Sequence, residues 1–312
     1  MRLALPALTL LSTALLAACA GVGVRDNDAA KAAGTTQQQA AAVAALATPA
    51  AETPPPNDDL DATVWYQTSL ERDLVYRQAY RSAGEHLAAA LADKAWDALP
   101  KGDRDNDASR LPPAIIVDVD ETVLDNSPDQ VRQIRSGKGF DNDAWRAWVF
   151  EAQAKPLPGA LEFLQAAAAK GVTVFYVSNR DADQADATVD NLRKAGFPIA
   201  DASQFLGLGM AVPGCASKGS DKTCRRRLVG QRYRVLMQVG DQVSDFIALP
   251  DNTLAGRRAA MAPYLGWVGE RWWALPNPMY GSWESAAIGA AKGQPAAAQR
   301  AAKEAALDDM RN

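Results

Sequence analysis

The chain has 312 residues, 48% of them hydrophobic, so it can bury a sizeable core in one or two domains. Its 33 basic and 37 acidic residues leave a net charge of -4, which argues against nucleic-acid polymers as partners but allows a small phosphorylated ligand. The single histidine, His86, excludes zinc sites built from several histidines, Ser-His-Asp triads and phosphohistidine chemistry.

The N-terminus is typical of an exported bacterial protein. Residues 1–18 contain a basic start, an apolar run and small residues, which predict a secretory signal peptide. The segment LAAC at 16–19 resembles the lipobox of bacterial lipoproteins and predicts acylation of Cys19; plain cleavage after an alanine pair is the alternative. We therefore expect a lipid anchor in the bacterial outer membrane, with the folded part in the periplasm or on the cell surface.

Low-complexity segments flank the folded domain, which we place at residues 61–285. Residues 19–60 are rich in Ala, Gln, Thr and Pro and contain almost no large apolar side chain. Such a segment cannot bury enough surface to offset its chain entropy, so we expect a flexible tether between lipid and domain. The Ala-rich composition of residues 286–312 predicts a helical tail.

The cysteines other than Cys19 are Cys215 and Cys224, which enclose a short loop. Export would bring them into an oxidising compartment, where a disulfide is favoured over two free thiols.

The order of the predicted elements indicates an α/β fold. The spacing of apolar residues over 61–93 suits one or two amphipathic helices. Runs rich in Ile, Val and aromatic residues predict strands at 113–117, 172–177, 205–210 and 235–239, with helices at 159–170 and 185–195 and a mainly helical insertion over about 123–155. Strands that alternate with helices predict a Rossmann-like, mostly parallel sheet flanked by helices.

Polar side chains follow three of these strands. Asp118 and Asp120 come after the first, Ser178 after the second and Asp241 after the fourth. Because the carboxyl ends of parallel strands lie at the same edge of a sheet, we expect these side chains to meet there. A turn begins at Val119, so Asp118 and Asp120 point in different directions, and one can attack while the other handles protons. The alternative is a solvated acidic turn or a helix cap.

These groups suit phosphoryl transfer. A carboxylate that attacks a phosphoryl group needs a divalent cation and a fixed positive group to offset the repulsion between two anions. Asp118 is the candidate nucleophile, Asp120 the candidate acid and base, and Ser178 a candidate phosphate-holding hydroxyl. The candidate Mg2+ ligands are the carboxylates of Asp118 and Asp241 and the backbone carbonyl of Asp120, because Mg2+ prefers oxygen ligands.

Four ordered motifs resemble those of the haloacid dehalogenase superfamily of phosphohydrolases. They are Asp118 to Thr122, Ser178 to Arg180, a lysine, and Gly240-Asp241 followed by Asp245. Over residues 62–284 the chain is also similar to class C acid phosphatases, on segments such as WYQTS at 65–69, DETVLDN at 120–126 and PNPMYGSWE at 276–284. The resemblance implies a haloacid dehalogenase fold with a small helical cap, and a lipid-anchored, magnesium-dependent phosphatase. Several members of that family are 5′-nucleotidases.

The resemblance also implies roles for charged residues. Lys222 matches the motif lysine better than Lys218, because arginines follow it; an ordinary surface lysine is the alternative for either. Asp245 is expected close to the metal. Gln242 stands where the family usually has Asn, a departure we expect to be tolerated because Asp241 is unchanged.

Substrate contacts are implied for two further groups of residues. Asn179 and Arg180 belong to the second motif and are expected near the phosphate. Aromatic residues of the insertion and near the C-terminus match positions that sandwich a nucleotide base in the family's nucleotidases: Phe140, Trp145, Trp148 and Tyr280. Packing of the insertion onto the core is the alternative role for these rings.

The sequence therefore predicts a magnesium-dependent acid phosphatase that acts on phosphomonoesters, with nucleoside 5′-monophosphates favoured. A broad phosphomonoesterase and a surface lipoprotein that binds ligands without turnover are the alternatives. The expected partners are a small phosphomonoester or nucleotide and, through the lipid anchor, a membrane. The oligomeric state stays open, with a homodimer as one candidate assembly.

Overall fold

A five-stranded parallel sheet forms the centre of the fold, which the computed structural model describes for residues 57–216 and 219–310. The strands are β1 (Pro113–Val117), β2 (Leu124–Asp125), β3 (Lys155–Pro156), β4 (Thr173–Asp181), β5 (Phe205–Leu208), β6 (Arg234–Gly240) and β7 (Trp272–Ala274). The main sheet has the order β5, β4, β1, β6, β7, and each neighbouring pair is parallel. The strands β2 and β3 form a separate antiparallel pair. The predicted α/β fold is confirmed.

Helices cover the sheet and fill the connections between its strands. They are α1 (Leu60–Thr68), α2 (Leu70–Ala92), α3 (Ser127–Ser136), α4 (Asn142–Glu151), α5 (Ala160–Ala168), α6 (Ala185–Lys194), α7 (Thr223–Arg232), α8 (Val243–Phe246), α9 (Leu254–Met261), α10 (Ser282–Ile288) and α11 (Ala296–Ala305). Short 3-10 helices occur at Lys101–Asp103, Ala182–Gln184, Ala202–Gln204, Ala262–Trp267 and Gly289–Ala291. Within residues 57–216 and 219–310, none of these helices combines the length and apolar character needed to cross a bilayer.

The central strand β1 is buried on both faces, as its unbroken apolar run predicts. Ile115 and Val117 belong to one hydrophobic cluster, whereas Ala114 and Ile116 belong to a second cluster on the other face. Successive side chains of a strand point to opposite faces, so a strand covered on both sides loses the alternation of polar and apolar residues.

The long helix α2 packs one apolar stripe against the first cluster. Its N-terminus is capped by the Ser69 side chain, which accepts a hydrogen bond from the backbone N–H of Arg72. Buried residues then recur at helical spacing: Tyr76, Tyr80, Ala83, Leu87 and Ala90. The structure thus has two helices, α1 and α2, in the region where the sequence predicts one or two.

Several element boundaries differ from their predictions. The second predicted strand does not end before Ser178, because β4 continues to Asp181. The predicted third strand is shorter and ends at Leu208. No predicted strand corresponds to β7, whose three residues are too few to show a periodic pattern. Helices α5 and α6 are followed by Gly171 and Gly196 with positive φ, a common way for a helix to end.

Other sequence predictions concern the flanks of the folded part. The predicted signal peptide, Cys19 and the tether up to residue 56 lie outside the described residues, so they stay predictions.

Helices α3 and α4 occupy the region predicted as an insertion, between β2 and β3. The predicted disulfide between Cys215 and Cys224 is present. Near the C-terminus, Lys303 of α11 forms an ion pair with Glu284 at 2.7 Å.

Candidate active site

The topology of the sheet brings three polar strand ends together. The chain passes from one side of β1 to the other, so β1 lies between β4 and β6. In open parallel sheets such a switch point leaves a crevice at the carboxyl ends of the strands. The backbone N–H of Asp118 donates to the carbonyl of Val239 at 3.0 Å, which places Asp118 beside the end of β6, next to Asp241. Ser178 lies at the neighbouring end, in β4.

A cluster of three aspartates occupies the β1 and β6 side of this crevice. Asp118, Asp241 and Asp245 each offer a carboxylate oxygen, and these oxygens lie within 4.8 Å of one another. A Cβ atom at Gly240 would stand 2.3 Å from Oδ2 of Asp245, so glycine at this position lets the Asp245 carboxylate approach the backbone of β6. The structure therefore brings together two distant motifs predicted to share a metal ion.

The Lys222 ammonium bridges two of these acids. Its Nζ atom donates to Oδ1 of Asp118 at 2.6 Å and to Oδ1 of Asp245 at 2.7 Å, and the side chain is only 3% exposed. Lys222 immediately precedes α7, which Cys224 joins to Cys215 through the disulfide. The alternative lysine, Lys218, lies outside the described residues.

Burial governs the protonation of the cluster. Desolvation raises the pKa of Asp118 well above its ordinary value, against the attraction of Lys222. Desolvation and the neighbouring Asp245 carboxylate raise the pKa of Asp241 to about 7, although hydrogen bonds from Gln242 and Asn277 oppose the shift. For Lys222, desolvation opposes the charge, but Asp118 and Asp245 outweigh it and raise the pKa. The three acids offer hard oxygen donors, which suit a divalent cation.

Asp120 faces a different set of partners. Its Oδ1 atom accepts hydrogen bonds from Asn126 Nδ2 at 2.8 Å and from Arg180 Nε at 2.9 Å. The Ser178 hydroxyl donates to its Oδ2 atom at 3.3 Å. The sequence predicts that Asp118 and Asp120 point in different directions, and their separate hydrogen-bond partners agree with that prediction.

The residue after Asp120 turns the chain sharply. Glu121 has a φ of 53°, an uncommon conformation for a residue with a side chain. Its carbonyl accepts from the Tyr76 hydroxyl at 2.6 Å, and its Oε1 atom accepts from the backbone N–H of Asn126 at 2.7 Å. Desolvation and then the charges of Asp120 and Asp125 raise the pKa of this carboxyl well above its ordinary value. Glu121 thus supports the turn that carries Asp120 and Asn126.

Asn179 and Arg180, the two other residues of the second motif, differ in exposure. Arg180 is buried, and besides Asp120 its guanidinium donates to Thr188 Oγ1 at 3.2 Å and to Asn126 Oδ1 at 3.0 Å. Asn179 is exposed, and its Oδ1 atom accepts from Arg225 Nη2 at 2.7 Å. The geometry therefore gives Arg180 a direct contact with the candidate acid and base, while Asn179 faces Arg225.

The predicted base-stacking aromatic residues also differ in exposure. Phe140 is 70% exposed just before the second insertion helix, and Tyr280 is partly buried against the core. Trp148 is 5% exposed, and its indole N–H donates to Asn126 Oδ1 at 2.8 Å. Trp145 packs partly against the core, with the Arg180 guanidinium 5.5 Å from its ring centroid. Phe140 thus presents the most free ring surface of these four, and Trp148 the least.

Several residues that contact the site have no role predicted from the sequence. Asn126 bonds to Asp120, Asn277 bonds to Asp241, and Arg225 donates to the carbonyl of Ser178. Asn126 and Asn277 lie inside segments that resemble class C acid phosphatases, so the resemblance marked them without indicating their partners.

Comparisons with known proteins agree with this geometry. A family model described as HAD superfamily, subfamily IIIB (acid phosphatase), matches residues 24–283. The class C acid phosphatase from Bacillus anthracis superposes with a TM-score of 0.68 and 35% identity, over 80% of this chain and 96% of that chain. The structure of a class C acid phosphatase from Bacillus anthracis with tungstate bound gives the same TM-score, 0.68, at 34% identity over the same shares of the two chains.

Curated relatives are more distant. The Stem 31 kDa glycoprotein of Glycine max is 28% identical over 53% of this chain, and Acid phosphatase 1 of Solanum lycopersicum is 28% identical over the same share. The match spans 58% and 57% of the length of those two relatives. Because the family model covers more than half of the chain and the site has the expected acids and lysine, the chain belongs to the acid phosphatase family, subfamily IIIB of the HAD superfamily.

Proposed function

We propose that this chain is a magnesium-dependent acid phosphatase that hydrolyses phosphomonoesters, with nucleoside 5′-monophosphates as the favoured substrates. The main support is the position of the Lys222 ammonium. Its Nζ atom lies 2.6 Å from Oδ1 of Asp118 and 2.7 Å from Oδ1 of Asp245, and Asp241 belongs to the same cluster. A fixed ammonium beside a carboxylate nucleophile supplies the positive charge that phosphoryl oxygens require. A site that only bound ligands would have no need of this arrangement.

The proposed mechanism divides the work between two aspartates. A carboxylate oxygen of Asp118 forms a bond to phosphorus while the bond from phosphorus to the leaving oxygen breaks, which gives an aspartyl-phosphate. Asp120 donates its proton to the leaving oxygen, and the alcohol departs. The Asp120 carboxylate then takes a proton from water, the water oxygen attacks phosphorus, and Asp118 is released together with inorganic phosphate.

The other residues of the site bind and orient the substrate. Lys222 and the Ser178 hydroxyl are suited to hold phosphoryl oxygens, and Arg180 orients Asp120 through its 2.9 Å hydrogen bond. Asp118, Asp241 and the carbonyl of Asp120 would hold Mg2+, with Asp245 beside them. When bound, Mg2+ would supply positive charge that offsets the repulsion between the phosphate and the carboxylates.

The nucleotide preference rests on the aromatic residues. Phe140 is 70% exposed and Tyr280 partly so, and rings with free faces can stack on any base. The buried Trp148 offers little surface for stacking and so favours packing as its role. The partly buried Trp145, which packs against the core, is likewise more consistent with packing.

The setting of the enzyme is also part of the proposal. We place it in the outer membrane through an acylated Cys19, with the phosphatase domain at residues 61–285, the tether before it and the helical tail after it. The lipobox at 16–19 supports the anchor. A homodimer is retained as a candidate assembly.

A substrate panel tests the proposed function. We expect the purified protein to release phosphate from adenosine 5′-monophosphate and from p-nitrophenyl phosphate, to lose both activities with a chelator, and to regain them with added Mg2+. Equal efficiency on the two substrates would favour the broad phosphomonoesterase. No turnover of either substrate with Mg2+ present would favour the lipoprotein that only binds its ligand.

A pair of phenylalanine variants tests the base-stacking role. Phe140→Ala should lower kcat/KM for the nucleotide by about 5- to 150-fold, the equivalent of about 1–3 kcal/mol of stacking, and change aryl phosphate hydrolysis little. The matched control is Phe150→Ala. Phe150 is an exposed ring of the same insertion, 49% accessible, with the Arg146 guanidinium over its face. Equal losses on both substrates in Phe140→Ala would assign this residue to packing.

A further inference from the structure

Asp241 is held differently from the other two acids of its cluster. Lys222 bonds to Asp118 and Asp245, whereas two neutral amides bond to Asp241. Gln242 Nε2 donates to Oδ2 of Asp241 at 2.8 Å, and Asn277 Nδ2 donates to the same oxygen at 2.9 Å. Both donors converge on Oδ2, so the carboxylate has a defined orientation, and Oδ1 accepts no hydrogen bond from the residues that the structure describes.

The Asn277 side chain is itself fixed. It is 8% exposed, and its Oδ1 atom accepts from the backbone N–H of Met279 at 3.0 Å. Its backbone carbonyl accepts from the Trp283 indole at 3.0 Å. The carbonyl of Pro276 lies 3.2 Å from the Tyr76 hydroxyl, which also donates to Glu121 at the turn after Asp120. The Asn277 amide therefore reaches Asp241 from an anchored segment.

Gln242 reaches the same segment from the other end. Its Oε1 atom accepts from the backbone N–H of Ser282 at 3.0 Å and from the Ser282 hydroxyl at 3.1 Å. A Cβ atom at Gly281 would stand 2.4 Å from Gln242 Nε2, so glycine at 281 makes room for this side chain. Gln242 thus spans from Asp241 to Ser282.

Neutral donors have a specific advantage at this position. An ammonium would orient the carboxylate but also cancel its charge, as Lys222 does for its partners. Amide N–H groups orient the carboxylate and leave its negative charge in place for a cation. Mutation of residues that bond to a metal ligand, rather than to the metal itself, typically lowers metal affinity by about 10- to 100-fold.

We propose that Asn277 and Gln242 are positioning residues that hold Asp241 in its cation-binding orientation. Asn277 belongs to the segment 276–283, and Gln242 contacts that segment at Ser282. The same segment carries Tyr280, so the metal site and the proposed base-binding site share one structural support. This inference rests on the proposed function, because it requires a divalent cation at Asp241.

Titration of the metal-stripped protein with Mn2+ by isothermal calorimetry tests the proposal. Asn277→Ala should raise the dissociation constant for Mn2+ by about 10- to 100-fold. The matched control is Asn252→Ala. Asn252 Nδ2 donates to the carbonyl of Ser282 at 2.9 Å, so it anchors the same segment without contacting Asp241, and its variant should bind Mn2+ as wild type does.

The outcomes separate this inference from the proposed function. Absence of Mn2+ binding and of turnover in wild type would refute the proposed function and the inference with it. Wild-type binding with equal affinity in Asn277→Ala would overturn the inference alone, as would equal weakening in both asparagine variants. If Asn277→Ala does not fold, Gln242→Met serves in its place: weaker Mn2+ binding supports the proposal, and unchanged binding overturns it.

Discussion

Asp118 and Asp120 follow the same strand with one residue between them, yet the fold gives them different surroundings. The Asp118 carboxylate is 9% exposed, faces β6 and is bonded by the Lys222 ammonium. The Asp120 carboxylate is 17% exposed, faces β4 and the insertion, and is bonded by Arg180, Asn126 and Ser178. Two residues of the same type thus differ in charge environment and exposure because different strands lie beside them, and this difference underlies the separate roles that we propose for them.

The largest expected effect comes from replacing Asp118, the proposed nucleophile. Asp118→Asn should lower kcat by at least about 10⁴-fold, because an amide cannot form the phosphoryl ester. The protein should stay folded, since the amide has nearly the same shape and removes a carboxylate whose pKa burial raises well above its ordinary value. Steady-state kinetics with circular dichroism checks this prediction. Activity close to wild type would remove Asp118 as the nucleophile.

Changing the second acid should have a smaller and different effect. Asp120→Asn should lower kcat by about 10²- to 10⁴-fold, the usual contribution of general acid and base catalysis. With p-nitrophenyl phosphate, whose leaving group needs little protonation, we expect a burst of nitrophenol followed by slow turnover, because hydrolysis of the aspartyl-phosphate still requires a base. Rapid-mixing kinetics measures the burst. Asp118→Asn should show slow turnover without a burst, because no aspartyl-phosphate can form. A burst in Asp120→Asn but not in Asp118→Asn would therefore distinguish the two roles.

Removing the ammonium between the acids should affect both activity and stability. Lys222→Met should lower kcat by about 10²- to 10³-fold, as for other lost donors to a transition state. It also leaves Asp118 and Asp245 facing each other without a cation, which should cost about 3–5 kcal/mol of unfolding free energy at pH 8. The cost should be smaller at pH 5, because burial raises the pKa of Asp118 well above its ordinary value and so favours its protonated form there. Urea unfolding measures it, with the exposed Lys170→Met as the control.

The smallest effect should appear in the pH dependence of stability without metal. Burial and Asp245 raise the pKa of Asp241 to about 7, above the value of about 3.9 in an unfolded chain. The folded state therefore binds a proton at Asp241 more tightly than the unfolded chain does. The stabilisation that this proton gives is complete below about pH 4 and is lost as the pH rises through about 7.

We expect the Tm of the chelator-treated protein to fall by roughly 5–10 °C between pH 5 and pH 8, and added Mg2+ to raise it more at pH 8 than at pH 5. Asp241→Asn should reduce both the pH dependence and the response to Mg2+. Equal responses to Mg2+ at the two pH values would contradict a cation site at Asp241.

The candidate site was partly predictable from sequence, and the pattern of success has a physical reason. Asp118, Asp120, Ser178 and Asp241 lie just after the apolar runs of their strands, which are visible in sequence, and parallel strands carry such residues to one edge. The partners of these residues were not visible. Asn277 reaches Asp241 across 36 positions and Arg180 reaches Asp120 across 60, and no local pattern encodes contacts at such separations.

By itself, the sequence determined the α/β class, the strands at the centre of the sheet and the acids at their ends, because burial on two faces and turn chemistry are local properties of the chain. Only the tertiary structure decided that β7 joins the sheet, that Trp148 is buried against Asn126, and that Asp241 is oriented by two amides. Those features depend on side chains from remote segments packing in one arrangement, which the order of residues along the chain does not display.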